Sequence, residues 1–131
     1  MKYGQVLYFT PRDEECTELL NGIGLKRNMA KVLVYLAQST EATSREIERG
    51  TDLRQPEVSI VMRDLKERGW VESRESKTES KGRPVKIYML SLDLNGILTQ
   101  LENEKQREIQ DQIRKIGRLR TILSTDELSA S

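Results

Sequence analysis

Histidine is absent from this sequence, and cysteine occurs once, as Cys16. Without imidazole the chain lacks the common protein ligand of zinc and the common base of nucleophilic catalysis, so no metal, no histidine-dependent triad and no other cofactor is expected. A single cysteine cannot form a disulfide within the chain. We interpret Cys16 as a small buried apolar group, with a redox-sensing thiol as the alternative.

Long apolar runs are also missing. No stretch approaches the roughly 18 consecutive apolar residues of a membrane-spanning helix, and the first residues lack the apolar core of a signal peptide. A cytoplasmic protein is therefore expected, in line with 33% charged residues.

The 22 basic and 21 acidic residues give a net charge of only +1. The total charge does not indicate a nucleic-acid partner, so the distribution of charge must decide.

Two helices are predicted before residue 40. The first runs from about Pro11 to Asn21, with acidic residues in its first turn, and glycines follow it. Asn28 is expected to cap a second helix that ends near Gln38. The residues predicted to be buried are Cys16, Leu19 and Leu20 in the first helix, and Met29, Leu33, Leu36 and Ala37 in the second.

Two further helices follow closely. Thr43 and Ser44 offer a cap for a short helix around Ile47, which Gly50 should stop. The next helix starts at Gln55-Pro56-Glu57, since proline is tolerated in the first turn, and ends at Gly69. Its expected inward face is Val58, Val61, Met62 and Leu65. Such a pair of helices with a tight connection is typical of a helix-turn-helix unit.

Past Gly69 the pattern changes. Residues 70–74 and 85–90 alternate as strands, with a polar hairpin tip at 76–84 between them, and apolar residues return at helical spacing from Leu94. We therefore predict a mainly α fold with a small β-hairpin (α+β), a winged helix-turn-helix with a long C-terminal dimerisation helix. The predicted boundaries are 1–24 for an N-terminal extension, 25–92 for the DNA-binding domain, 93–124 for a coiled-coil-like helix and 125–131 for a disordered tail.

Three segments resemble a known family. The run Ile23–Leu36 is similar to the entry helix of TrmB-type regulators, which are relatives of the MarR and ArsR groups. Gln55–Ser59, Leu65 and Gly69-Trp70-Val71 are similar to the recognition helix and turn of those groups, and Lys81–Leu90 to the returning wing strand. The resemblance covers roughly residues 23–92 and implies a transcriptional regulator that binds DNA. The sugar-binding domain of longer TrmB-type proteins is not expected here, so the resemblance does not by itself imply a sugar ligand.

The residues themselves also favour DNA binding. Arg54, Gln55, Ser59 and Arg63 lie off the predicted buried stripe, where a helix in a major groove presents side chains to base edges. Pro56 stiffens the helix start, and the backbone N–H groups near Thr43, Ser44 and Arg45 suit phosphate oxygens. The hairpin carries five basic and two acidic residues between positions 74 and 86, which suits backbone or minor-groove contact. The predicted DNA contacts there are Lys77, Lys81 and Arg83.

The last helix is too long for one small domain to cover, which predicts a homodimer on a pseudo-palindromic operator. The residues assigned to dimerisation are Leu94, Ile97, Leu98, Leu101, Ile109, Ile113, Ile116, Leu119 and Leu123. Between Leu101 and Ile109 the seam is polar.

A dimeric repressor is the function predicted. The alternative is a winged-helix module for protein–protein contact in a transcription or replication assembly, and no enzyme is expected because no catalytic cluster can be assigned.

Overall fold

The computed structural model describes residues 9–76 and 84–125. These residues fall into two compact units with the boundary between Leu94 and Asn95. The predicted extension before residue 9 and the predicted tail after residue 125 lie outside the described residues. The elements follow one another as α1 (Pro11–Gly22), α2 (Arg27–Ser39), β1 (Ala42–Thr43), α3 (Ser44–Thr51), α4 (Gln55–Glu67), β2 (Val71–Ser76), β3 (Val85–Leu90) and α5 (Leu94–Thr125).

Helix α1 begins at a complete capping box. The Thr10 hydroxyl accepts from the Asp13 N–H at 3.2 Å, and the Asp13 carboxylate accepts from the Thr10 N–H at 2.9 Å, which satisfies two N–H groups that the helix itself cannot bond. The side of α1 that is buried holds Asp13, Thr17 and Leu20. The prediction that Leu19 would be buried is wrong, because this side chain is 64% exposed.

Helix α2 is the central element of the core. It is buried on most of its circumference, which an amphipathic pattern does not anticipate, because α1, α3 and α4 all pack against it. Two details of the prediction are wrong. Asn28 lies inside the helix, which is preceded by Lys26 with no side-chain cap, and Ala37 is exposed.

Helix α3 packs very closely on α2. It is capped as predicted, since Thr43 accepts from the Glu46 N–H at 3.2 Å. Gly50 does not stop the helix, which continues to Thr51 and ends at Asp52 in the left-handed conformation (φ 59°). The reason for glycine at position 50 is packing: a Cβ there would overlap the ring of Tyr35, which is itself buried.

Helix α4 ends in a Schellman motif that leads directly into the sheet. Gly69, with φ 78°, donates its N–H to the Lys66 carbonyl at 2.9 Å, and Trp70 donates its N–H to the Leu65 carbonyl at 3.0 Å. The positive φ explains why the predicted stop at Gly69 is correct. Trp70 is 1% exposed and belongs to the core.

The sheet has three antiparallel strands in the order β1-β3-β2. The predicted hairpin is β2 and β3, in which Val71 lies opposite Leu90 and Ser76 opposite Val85. The two-residue β1 was not predicted; it pairs Thr43 with Ile87 on the other side of β3. The start of α3 is therefore hydrogen-bonded, through β1, to the returning strand of the hairpin.

The second unit is dominated by the 32-residue α5, which spans roughly 48 Å at 1.5 Å per residue. Its buried residues are Ile97 and Leu101, whereas the large apolar side chains from Ile109 onwards are about half exposed. Among the helices of the described residues, none is long and apolar enough to cross a membrane.

Candidate nucleic-acid interface

Helices α3 and α4 are held at a sharp turn. Only three residues, 52–54, separate them, and the left-handed Asp52 reverses the chain while the buried Leu53 anchors the connection. The N–H of Leu53 donates to the Glu48 carbonyl at 3.1 Å, which closes the last turn of α3. The start of α4 is thereby fixed relative to the core.

The predicted inward face of α4 is confirmed, since Val58, Val61, Met62 and Leu65 are buried. With 100° between successive residues, the direction opposite this stripe is occupied by Pro56, Ile60, Arg63 and Glu67. All four are exposed. We call these four residues the outward face of α4. Sequence reasoning identified Pro56 and Arg63 but missed Ile60, whose side chain is 51% exposed. Its position opposite the buried stripe was the available signal.

Gln55 and Ser59 lie together beside the outward face. The side-chain amide of Gln55 donates to the hydroxyl of Ser59 at 2.8 Å, and both residues are exposed. This bond fixes one N–H of the amide and leaves its carbonyl oxygen and its second N–H for other partners. The two predicted contact residues therefore form one unit.

At the starts of α3 and α4, backbone N–H groups already donate to carboxylates of the chain, which the sequence did not suggest. The Glu46 carboxylate accepts from the Thr43 N–H at 2.9 Å, and the Glu57 carboxylate accepts from the Arg54 N–H at 2.8 Å. Each carboxylate also places negative charge at its helix start. Thr43 and Ser44 are half-buried, while Arg45 and Arg54 are exposed. The exposed cations at these positions are therefore better placed for phosphate than the capped N–H groups.

The basic side chains of α4 and the hairpin differ in how closely they pair with acidic or hydroxyl groups of the chain. Arg63 is 66% exposed, and its guanidinium is 3.8 Å from the Asp64 carboxylate, a loose pair. Arg74, which contributes to the basic count of the hairpin, is tied to Glu41 at 2.7 Å. Lys66 donates to the Ser73 hydroxyl at 3.2 Å and so links α4 to β2. Lys77, Lys81 and Arg83 lie outside the described residues.

A bidentate ion pair joins α1 to α2. Arg27 reaches the two carboxylate oxygens of Glu18 at 2.6 and 3.1 Å. This hydrogen bonding, with the accompanying charge attraction, lowers the pKa of Glu18 and raises that of Arg27. Both side chains are about half exposed, so the pair belongs to the surface.

One cavity adjoins the outward face. It has a volume of about 300 Å³ and lies between the start of α2 and the side of α4; its lining includes Lys26, Arg27, Met29, Glu57, Ile60 and Asp64. Within residues 9–76 and 84–125 no cluster of three or more histidine, cysteine or acidic side chains could hold a metal ion.

This arrangement of α2, α3 and α4 followed by a β-hairpin defines a winged helix-turn-helix protein. The sequence model of the sugar-specific transcriptional regulator TrmB matches residues 19–92. The chain therefore belongs to the TrmB family of transcriptional regulators. Among curated proteins, none matches the chain in sequence.

Solved structures with a similar fold include other regulators. The archaeal chromatin protein TrmBL2 has a TM-score of 0.67 at 17% identity, over 85% of this chain and 41% of its own. A "possible transcriptional regulator" from Methanosarcina mazei Go1 has a TM-score of 0.62 at 12% identity, over 90% of this chain and 94% of its own. A MarR-family transcription regulator has a TM-score of 0.50 at 14% identity, over 88% and 78%. The chain spans about two fifths of TrmBL2, and these identities show the fold alone.

Proposed function

We propose that the protein is a sequence-specific regulator that binds double-stranded DNA as a homodimer and represses transcription by occupying a promoter. The observation that carries this proposal is the outward face of α4, which is exposed on a helix held by a tight turn and flanked by the Gln55–Ser59 pair. A helix that enters a major groove needs such a face, free of contacts with its own core.

The chemistry of these side chains suits base readout. Arginine can donate two hydrogen bonds to guanine O6 and N7, and a glutamine amide can pair with adenine N6 and N7. Arg63 supplies the first group and Gln55 the second, with the free carbonyl oxygen and N–H of its amide. TrmBL2 is described as a chromatin protein with a novel mode of DNA binding, which is consistent with a DNA-binding role for this fold.

The far half of α5 supports the dimer. Five large apolar side chains lie along it, each between 45% and 56% exposed: Ile109, Ile113, Ile116, Leu119 and Leu123. A continuous apolar stripe of this kind on a helix is typical of helix–helix association. We assign a second copy of the chain as its partner, so that two α4 helices reach successive major grooves about 34 Å apart.

The spacing of the stripe is compatible with an antiparallel pairing, which we propose for the dimer. Successive positions differ by four, three, three and four residues, a series that is the same in both directions. In an antiparallel pair centred on Ile116, this residue faces itself, Ile113 faces Leu119, and Ile109 faces Leu123.

Selection of bound sequences from random duplex DNA tests the proposal directly. Two inverted half-sites are expected, and no enrichment would contradict both sequence specificity and the dimer. A gel-shift comparison of Arg63→Ala and Lys81→Ala then separates the contacts. Loss at Arg63 should depend on operator sequence, while loss at Lys81 should weaken all DNA and reduce the salt slope by about one.

Salt dependence distinguishes the alternative function. Counterion release makes the affinity for DNA fall steeply as salt rises. Failure to bind duplex DNA even at low salt would favour the alternative, a winged-helix domain that binds another protein.

A further inference from the structure

We infer that Ile60 contacts the 5-methyl group of a thymine in each operator half-site and selects thymine at that position. The inference rests on the proposed function and assigns one specificity-determining residue within it. The predicted DNA contacts did not include two residues of the outward face, Ile60 and Glu67, and Ile60 is the apolar one.

The exposure of Ile60 is unusual for its surroundings. Between residues 25 and 92, leaving aside 77–83, it is the one large apolar side chain on the surface, with 51% of its area exposed. The side chain points away from Val58 and Leu65, which belong to the buried stripe of the same helix. Half of its apolar area therefore stays in water until a partner covers it.

The neighbours of Ile60 are those of a base-reading surface. Ser59 precedes it and Arg63 lies one turn further along, so hydrogen-bonding side chains adjoin Ile60 on the exposed side of α4; towards α2 it borders the cavity that Met29 and Val61 also line. The major groove offers the matching pattern, because an isolated methyl group of thymine lies among the hydrogen-bonding edges of the bases.

The contact would also discriminate between bases. Thymine carries a methyl group at C5, whereas cytosine presents only C5–H there. An isoleucine at van der Waals distance from that methyl group gains contact with thymine and loses it with cytosine or with uracil. The thymine-to-uracil change is the sharper probe, since it removes the methyl group and leaves all base-pairing groups in place.

The experiment uses the full chain and the half-site recovered by selection. Each thymine of the half-site is replaced in turn by deoxyuridine, and binding is measured by fluorescence anisotropy for the wild type and for Ile60→Ala, Ile60→Val and Leu19→Ala. For the wild type, one replacement per half-site should weaken binding about fourfold, the size expected for one methyl group removed from an apolar contact. Ile60→Ala should bind thymine and uracil operators equally, within about twofold.

The control variants separate the contact from general effects. Ile60→Val keeps a branched apolar side chain and should retain most of the preference for thymine. Leu19→Ala truncates another exposed apolar side chain, on α1, and should retain all of it. Unchanged circular dichroism and unfolding midpoint for Ile60→Ala would establish that the variant folds.

The outcomes distinguish the inference from the function on which it rests. If the wild type selects a sequence but no thymine-to-uracil change matters, or if Ile60→Ala keeps the wild-type preference, the inference is wrong and the DNA-binding function stands. If no sequence is selected at all, both are overturned.

Discussion

The side-chain amide of Gln55 donates a 2.8 Å hydrogen bond to the hydroxyl of Ser59, one turn further along α4. Both residues are exposed, so this bond does little for stability, and its consequence is positional. The long glutamine side chain is held against its own helix with the carbonyl oxygen and one N–H left for a base. In the proposed DNA contact, the two residues would therefore act as one group.

We predict that Gln55→Ala and Ser59→Ala are not additive in DNA binding. Gln55→Ala should reduce the discrimination at one adenine by roughly 1–3 kcal/mol, and Ser59→Ala by less, because the amide then loses only its orientation. The double variant should match Gln55→Ala. Anisotropy titrations with matched and mismatched operators measure these differences. Thr99→Ala removes a hydroxyl on α5 and serves as the control; additive losses would mean that the two side chains act separately.

Gly50→Ala should destabilise the protein by about 1–3 kcal/mol, because the added Cβ overlaps the Tyr35 ring and overpacks the contact between α2 and α3. Tyr35 is 2% exposed and has little room to move aside. Urea unfolding measures the change. Gly22→Ala is the matched control: its Cβ would meet nothing within 4 Å, so its effect should be neutral or stabilising by up to about 1 kcal/mol. Equal effects at both glycines would contradict the packing explanation.

Disulfide trapping can test the antiparallel pairing of α5. In a Cys16→Ser background, Ile116→Cys should cross-link with itself on oxidation, because position 116 faces its own copy. Ile109→Cys and Leu123→Cys should each give little cross-link alone but a heterodimeric one when mixed. A parallel pair would instead cross-link each of the three variants with itself, and non-reducing electrophoresis separates these results.

The stabilising effect of the Glu18–Arg27 pair should depend on pH in a defined direction. The pair lowers the pKa of Glu18 below its ordinary value of 4.5, so the carboxylate binds fewer protons folded than unfolded. Its contribution is therefore present above pH 4.5 and is lost as the pH falls through the lower, folded value.

The comparison of wild type with Glu18→Gln measures this effect. The difference in the free energy of unfolding should shrink as the solution is acidified from neutral pH to below the folded pKa of Glu18. Glu102→Gln removes a carboxylate on α5 and serves as the control. A difference that grows with acid would contradict the predicted direction.

The parts of the fold that the sequence predicted are those with local causes. Pro56, Gly69 and the Thr43–Glu46 cap each mark a helix end through chemistry within a few residues, and the buried stripe of α4 follows from helical spacing. The family resemblance is confirmed by the match to the TrmB model.

Features with non-local causes could not be predicted in the same way. Strand β1 exists because Thr43 pairs with Ile87, 44 positions away, and glycine stands at position 50 because a ring from α2 fills the space. The hydrogen bond of Gln55 to Ser59 depends on side-chain orientation, which spacing alone leaves open.

The Schellman motif at Gly69 bears on how this protein could be altered. Trp70 bonds to Leu65 in α4 through its N–H and to Ser91, after β3, through its carbonyl at 2.8 Å. One buried residue therefore holds the end of α4 to both ends of the hairpin. The residues that we propose to contact bases lie on exposed parts of α4. Under the proposed function, substitutions at positions 55, 59, 60 and 63 should therefore change which DNA sequence is bound. The junction between α4 and the hairpin would stay unchanged.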